Sequence, residues 1–378
     1  MPGPGKKLSA CADNFKLNMI AILIFTFILS LLIIVHESGH FFAARRNGVR
    51  VENFSLGFGP QVFKKKKNDT EYSISLIPLG GYVKMAGDSQ SEYKGKSDEY
   101  FTKSVGQRFQ IIFFGPFLNY LLGFLFFWCI FFVGYPSLTS KVGGLVDGYG
   151  AKEAGLAAGD KIIVIDGQKV DLWDDLQRQI QKRKEKESVE LLVLRGNQEL
   201  KFKVSIKDKI LGNELGEKKS LGIIGITPLD EIVEIRHGLF ESAYLGIQKT
   251  IDLTIMTYKG LWMLISGKMS MRDSVTGPLG IFYITSKTAK LGIIAVMHLI
   301  AVLSVSLAIF NLLPLPILDG GHIFLLGLEK LRKKALGVKA EQIVNNIGFT
   351  LMITIALFVT YNDILRLYGE KISKFMGR

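Results

Sequence analysis

Cysteine is nearly absent from this chain of 378 residues. Its two copies, Cys11 and Cys129, cannot supply a disulfide framework or a thiolate metal centre. Leu8-Ser9-Ala10-Cys11 has the letters of a lipoprotein cleavage site, but no apolar run precedes it, so no lipid anchor is expected there. Cys129 falls inside an apolar block and is expected to pack. Histidine is scarce as well, with five copies, so any closely spaced pair carries weight. Acidic residues are outnumbered, 34 Asp and Glu against 47 Lys and Arg, for a formal net charge of +13. Such an excess could suit nucleic acid, yet there is no basic stripe interleaved with aromatics, and nucleic acid is excluded as a partner. No repeat symmetry relates the two halves, which argues against a transporter.

What the chain has in abundance is apolar sequence. Hydrophobic residues make up 48% and gather in four blocks: Met19 to Val35, Ile111 to Val133, about Ile293 to Leu313, and Ile347 to about Val359. Each is near the length that crosses a bilayer as a helix. The expected fold class is an α-helical polytopic membrane protein with four transmembrane helices, a membrane-associated β-hairpin and an inserted α+β domain. The segments are placed at 17–46 (first span), 47–108 (loop with hairpin), 109–135 (second span), 138–232 (inserted domain), 238–270 (interfacial helix), 291–322 (third span) and 344–366 (fourth span). The lipid bilayer is therefore one partner. The first block resembles a signal peptide until it is read onward; no small-residue cleavage site follows, so it is expected to be retained. Arg45, Arg46, Arg50, the run Lys64–Lys67, Lys94, Lys96, Lys103 and Arg108 lie between the first two blocks, and Lys330, Arg332, Lys333, Lys334 and Lys339 between the last two. Short basic loops stay cytoplasmic, which puts the long middle segment on the extracytoplasmic side.

That middle segment has soluble character. Strand-like runs at Ile162–Ile165, Val189–Leu194, Leu200–Ile206 and Ile223–Ile226 flank a helix-like stretch at Trp173–Arg183. The run from Ala151 through Gly159-Asp160 to Asp166-Gly167 resembles the centre of a bacterial PDZ domain, a fold that binds extended peptides at a sheet edge, and it occurs once. Leu239 to Met269 is apolar but interrupted by Glu241, Lys249, Asp252 and Lys259, as in an amphipathic helix at the interface. Earlier in the chain, the alternation of Tyr72–Met85 and its Gly80-Gly81 pair suggest a β-hairpin. It reads either as an ordinary cytoplasmic hairpin or as an edge against which an extended substrate pairs through Gly80, Gly81 and Tyr82.

The chemistry sits in His36-Glu37-Ser38-Gly39-His40, at the end of the first apolar block. On a helix, His36 and His40 lie one turn apart on one face and can hold one Zn²⁺, with Glu37 placed to take a proton from the attacking water. Such polar groups are costly in a membrane span and need a functional reason. A catalytic zinc usually has three protein ligands, so one is missing. Asp319 is the best candidate, in Asn311-Leu-Leu-Pro314-Leu-Pro316-Ile-Leu-Asp319-Gly320-Gly321, where prolines break an apolar helix and a carboxylate follows. His322 is the rival ligand, and it and His298 also read as packed histidines. Asn311 reads equally as a group that bonds substrate backbone or as one that satisfies carbonyls freed by Pro314.

Together these motifs resemble the site-2 protease family of M50-type intramembrane zinc metalloproteases, most closely its bacterial branch of sigma-E regulators. Four further stretches match that branch: Phe54 to Pro60, Gly80 to Asp88, Gly115 to Asn119 and Gly277 to Ile281. The resemblance implies Zn²⁺ as cofactor, His36, His40 and Asp319 as its ligands, and Glu37 as catalytic base. It implies a bacterial inner (cytoplasmic) membrane location and a membrane-embedded, single-span protein substrate such as an anti-sigma factor, trimmed beforehand by an upstream site-1-type protease. The best-known members of the branch carry two PDZ domains, whereas one fits here. The alternative is a catalytically silent membrane adaptor that binds clients through the PDZ-like domain.

Overall fold

A computed structural model describes residues 4–212, 218–270, 274–334 and 337–375. Its helices are α1 Pro4–Arg46, α2 Val105–Val133, α3 Gly150–Glu153, α4 Trp173–Lys182, α5 Leu239–Ile265, α6 Pro278–Thr288, α7 Ile293–Asn311, α8 Asp319–Arg332 and α9 Val338–Phe375. Its strands are β1 Val51–Lys67, β2 Thr70–Met85, β3 Tyr135–Leu138, β4 Val142–Leu145, β5 Lys161–Ile165, β6 Gln168–Lys169, β7 Ser188–Arg195, β8 Gln198–Ser205, β9 Lys207–Gly212, β10 Lys218–Ile223, β11 Ile226–Pro228 and β12 Ile232–Ile235. The chain divides into two compact units, and the second comprises Phe131–Ser242 and Trp262–Met269.

Among the described residues four helices are long and apolar enough to cross a membrane: Met19–Arg46, Val105–Val133, Ile293–Asn311 and Val338–Arg366. Their outward faces carry large apolar side chains such as Leu23, Phe27, Phe132 and Leu357, all exposed. Apolar surface on that scale is compatible with a lipid covering. Cys129, expected to pack, instead lies on an exposed face of α2, because the buried positions of that helix fall to Gly115, Asn119, Gly123 and Phe127 on the other side. The third span is shorter than expected: α7 stops at Asn311, and Asp319 opens a separate helix that runs on to Arg332.

Helices α1 and α2 approach most closely around His40. Asn47 lies against Gln110, His40 Nδ1 bonds the Ile111 carbonyl at 2.9 Å, and one turn on, Gly39 meets Phe114 and Gly115. Further along, Leu122 and Phe126 pack on the cluster of Ile28, Leu32, Val296 and Ile300. At the other end Arg108 is nearly buried and forms a two-pronged ion pair with Glu329 of α8, one prong at 3.0 Å. Its guanidinium lies 5.9 and 5.5 Å from the Tyr100 and Phe101 ring centres.

The hairpin differs from its expected form. Its turn is at Asn68-Asp69, with Asn68 at φ +54°, and its first strand is β1. Gly80 and Gly81 lie within β2. Asn-Asp is a turn signal in its own right, whereas the glycines and the lysine run of β1 interrupt the apolar alternation that marks a strand. The hairpin rolls on itself: Asn53 to Leu56 pair with Gly81 to Lys84 on one side and with Glu71 to Ile74 on the other. Gly81 to Lys84 is thus an outer edge that no other described strand pairs.

The second unit has a four-stranded antiparallel sheet in the order β6-β5-β7-β8. Val189, Leu191 and Val193 alternate inward along β7, and α4 turns Trp173, Leu176 and Ile180 onto the same core. Burial of each such side chain contributes about 1.5–3 kcal/mol. The run read as one strand at Ile223–Ile226 is split, since β10 ends at Ile223 and β11 begins at Ile226, with Gly225 at φ +84° between them. Asp160 is buried, accepts Arg195 Nε at 2.7 Å and Nη2 at 2.8 Å, and accepts the Ala157 N–H at 2.8 Å. Burial pushes its carboxyl up, but the Arg195 bonds and the Ala157 amide outweigh that and hold it below the ordinary carboxylate range.

Two predictions follow from these charges. Arg108→Met should destabilise the folded protein by about 3–5 kcal/mol, because Glu329 is left unpaired, and Arg108→Met with Glu329→Leu should recover most of the loss; thermal melting of the detergent-solubilised protein checks both. Asp160→Asn should lower the stability of the second unit by about 1–3 kcal/mol at neutral pH. A depressed folded pKa gives stability that is full above the unfolded value of about 3.9 and is lost as pH falls through the folded one, so the gap between variant and wild type should close in acid melts.

Candidate metal centre

One turn of α1 separates His36 from His40, so both rings leave the same face. Their Nε2 atoms are 3.2 Å apart. Asp319 completes the group, with Oδ2 at 3.2 Å from His36 Nε2 and Oδ1 at 3.4 Å from His40 Nε2. Tetrahedral zinc with bonds of about 2.0–2.1 Å requires ligand atoms about 3.3 Å apart. The spacing and the donor set, two imidazoles and a carboxylate, therefore fit Zn²⁺. Among the described residues this is also the group of His, Cys, Asp and Glu side chains with metal-binding spacing.

The carboxylate owes its position to a deliberately broken backbone. Pro314 and Pro316 remove two donors, and Ile317 takes φ +77°, a left-handed conformation that costs a β-branched residue about 1–3 kcal/mol. Helix α8 then starts directly at Asp319, hooked beneath this loop by Gly321 and His322 N–H bonds to the Leu318 carbonyl at 2.9 and 3.2 Å. A Cβ at Gly320 would lie 2.2 Å from the Leu312 oxygen, and one at Gly321 2.1 Å from the Leu315 oxygen. The Asp-Gly-Gly run thus combines a candidate ligand with two positions where backbone touches backbone. Across the site, a Cβ on Gly115 would lie 2.3 Å from His40 Nε2, so α2 leaves the space that the ligand ring occupies.

Glu37 faces the hairpin. A Cβ at Gly81 would come within 2.7 Å of Ile33 Cγ2 and 3.3 Å of Glu37 Cγ, so the outer edge of β2 lies directly on this turn of α1. Gly80 takes φ +117° with the Phe58 ring packed over it, and Tyr82 is exposed beside it. Asn311 ends α7, partly exposed. The rival ligand His322 lies one turn beyond Asp319 and is outside the cluster. His298 packs edge-on to Phe127 at 5.5 Å. Sequence reading missed the spacing role of Gly115 and the Arg108–Glu329 pair. The available signals were a glycine on the next helix in a matched motif, and a lone arginine at the mouth of a span.

Comparison with known proteins agrees with this chemistry. The sequence model of Peptidase family M50 matches residues 24–355. A Campylobacter jejuni protein, by name a zinc metalloprotease, is 32% identical over 94% of this chain and 96% of its own length. A Haemophilus influenzae protein named regulator of sigma E protease is 28% identical over 91% of this chain and 98% of its own. Among solved structures, the PDZ domain of an SdrC-like protein from Listeria monocytogenes aligns at 23% identity and a TM-score of 0.20, covering 24% of this chain and 86% of that one.

Because Gly115 touches the ring of His40, a candidate ligand, Gly115→Ala should displace His40 and weaken zinc binding about tenfold or more. Competition against a chelator of known affinity measures it.

Proposed function

This chain belongs to peptidase family M50 and is a zinc metalloprotease, and from that premise we propose that it cleaves single-span membrane proteins within or near their transmembrane segment. The observation that carries the proposal is the meeting at tetrahedral spacing of Asp319, the first residue of α8, with His36 and His40 of α1, a helix long and apolar enough to cross a bilayer. We read these three as the zinc ligands and Glu37 as the base. When bound, zinc acts as a Lewis acid that brings the pKa of water toward neutrality and polarises a carbonyl. Glu37 takes the proton from the attacking water and returns it to the leaving amine.

A transmembrane helix hides its carbonyls in its own hydrogen bonds, so a substrate must unwind before it can react. Each backbone group left unsatisfied in hydrocarbon costs several kcal/mol. The unpaired edge at Gly81 to Lys84, lying against Glu37, can take over those bonds without demanding a side-chain sequence. We assign Gly80, Gly81 and Tyr82 to that docking strand and Asn311 to a further substrate backbone bond. The name of the Haemophilus influenzae relative points to sigma-factor control, so an anti-sigma factor is the substrate class we carry to this chain, with an upstream site-1-type protease acting first. We take the hairpin to lie at the cytoplasmic side of the inner membrane and the PDZ-like unit outside, a reading supported by the basic loops.

Glu37→Gln should retain zinc and lose cleavage by at least about 10²–10⁴-fold, since it removes the base and leaves the ligands. Turnover of a tagged single-span substrate in proteoliposomes, at equal zinc content, tests it; undiminished cleavage would show that the base lies elsewhere.

A further inference from the structure

Two polar groups without partners sit on facing helices. His36 Nδ1 is buried and makes no hydrogen bond, and the same holds for both amide atoms of Asn119, which is fully buried on α2. An unpaired buried amide costs about 1–3 kcal/mol. In a span without water the cost has no solvent to offset it, so the residue needs a reason to be there.

The helix register supplies the reason. His40 lies against Ile111 and Gly115, and its neighbour Gly39 against Phe114 and Gly115. Earlier on α1 and later on α2, Leu32 and Ile28 belong to the cluster on which Leu122 and Phe126 pack. Between these two levels, one turn from each, lie His36 on α1 and Asn119 on α2. The third wall is α7: Ser304 Oγ donates to the Asn119 carbonyl at 2.7 Å, and a Cβ at Gly123 would meet Val305 Cγ2 at 2.4 Å. Asn119 is therefore enclosed where three helices meet, at the height of one histidine of the metal centre.

The two histidines differ in a way that this placement explains. The far nitrogen of His40 is held by the Ile111 carbonyl, which fixes its ring with Nε2 toward the centre. Metal-binding histidines almost always have such a partner, because it sets the tautomer and the ring orientation. His36 has no backbone carbonyl in that role. We propose that Asn119 is the positioning residue for His36: in the zinc-bound protein its side-chain carbonyl takes up the His36 Nδ1–H, a bond that neither group makes in the zinc-free geometry, and leaves Nε2 as the lone-pair donor to zinc. The inference rests on the reading of His36 as a zinc ligand.

The experiment measures zinc affinity of the full-length, detergent-solubilised protein by chelator competition, together with the melting temperature of the zinc-free form. Asn119→Leu keeps the volume and removes the acceptor. It should weaken zinc binding about ten- to a hundredfold while the zinc-free protein melts no lower than wild type. Asn119→Asp keeps an acceptor and should bind zinc close to wild type. In a His36→Ala background, Asn119→Leu should cause no further loss. Wild-type affinity in Asn119→Leu overturns the proposal. So does an equal loss in both the Leu and Asp variants, or a fall in zinc-free melting that accounts for the lost affinity, or a full further loss in the His36→Ala background. His36→Ala alone tests the premise. If it keeps zinc, the ligand reading has failed; if it loses zinc while Asn119→Leu keeps it, only the role of Asn119 has failed.

Discussion

Three ligand atoms can share one point inside an apolar helix bundle only if the backbones that carry them approach more closely than side chains ordinarily permit. Imidazole and carboxylate arms are short, and zinc tolerates little error in their separation. The chain meets this constraint with glycine. A Cβ on Gly39 would lie 2.1 Å from the Phe114 oxygen, so α1 and α2 touch backbone to backbone beside the histidines. Gly320 and Gly321 do the same between α8 and the loop that delivers Asp319. In a bilayer the hydrophobic effect does not press helices together, and close packing of small residues takes its place. The glycines flanking the site are thus part of what gives the metal centre its dimensions.

The same economy extends to polar groups. Few are buried in the spans, and most of those have a visible partner: Arg108 has Glu329, Ser304 has the Asn119 carbonyl, and Asp363 of α9 accepts the N–H groups of Gly277 and Gly280 at 3.1 and 2.8 Å. The last pair explains the matched Gly-Pro-Leu-Gly stretch, since a Cβ at Gly277 would meet Asp363 Oδ2 at 2.7 Å. Against that background of satisfied groups, an unpaired one stands out as information. The ligand set, the strained Ile317 and the outer edge of β2 are places where local stability has been given up, and all of them border Glu37 or Asp319.

Much of this was legible in the sequence, for reasons that can be named. His36, Glu37 and His40 could be read because helical spacing is fixed, and the four apolar blocks because hydrocarbon thickness is fixed. The strands of the second unit showed because one face of β7 is buried and the alternation survives in the letters. What escaped reading depends on contacts between distant residues. Arg108 and Glu329 are 221 positions apart, and nothing local to either announces the other. Strand β1 was hidden by its glycines and lysines, which are tolerated because its apolar work is confined to a few positions such as Val51 and Phe54. Cys129 was misplaced because apolar composition shows that a helix is in the membrane but not which of its faces meets lipid.

The order of the chain makes the metal centre a late product of folding. His36 and His40 are made early, but two imidazoles alone are a poor zinc site, and the third ligand follows only after the second unit and the third span. Asp319 is not free to wander once made. It is the first residue of α8, and α8 is tied to the foot of α2 by the Arg108–Glu329 pair, which is nearly buried and in contact with two aromatic rings. That pair fixes the helix from its far end while the glycine contacts fix its near end, so the carboxylate arrives at a set height and angle. The proposed ligand set is thereby completed only after α1, α2 and α7 have been made, and that order follows from where its members fall along the chain.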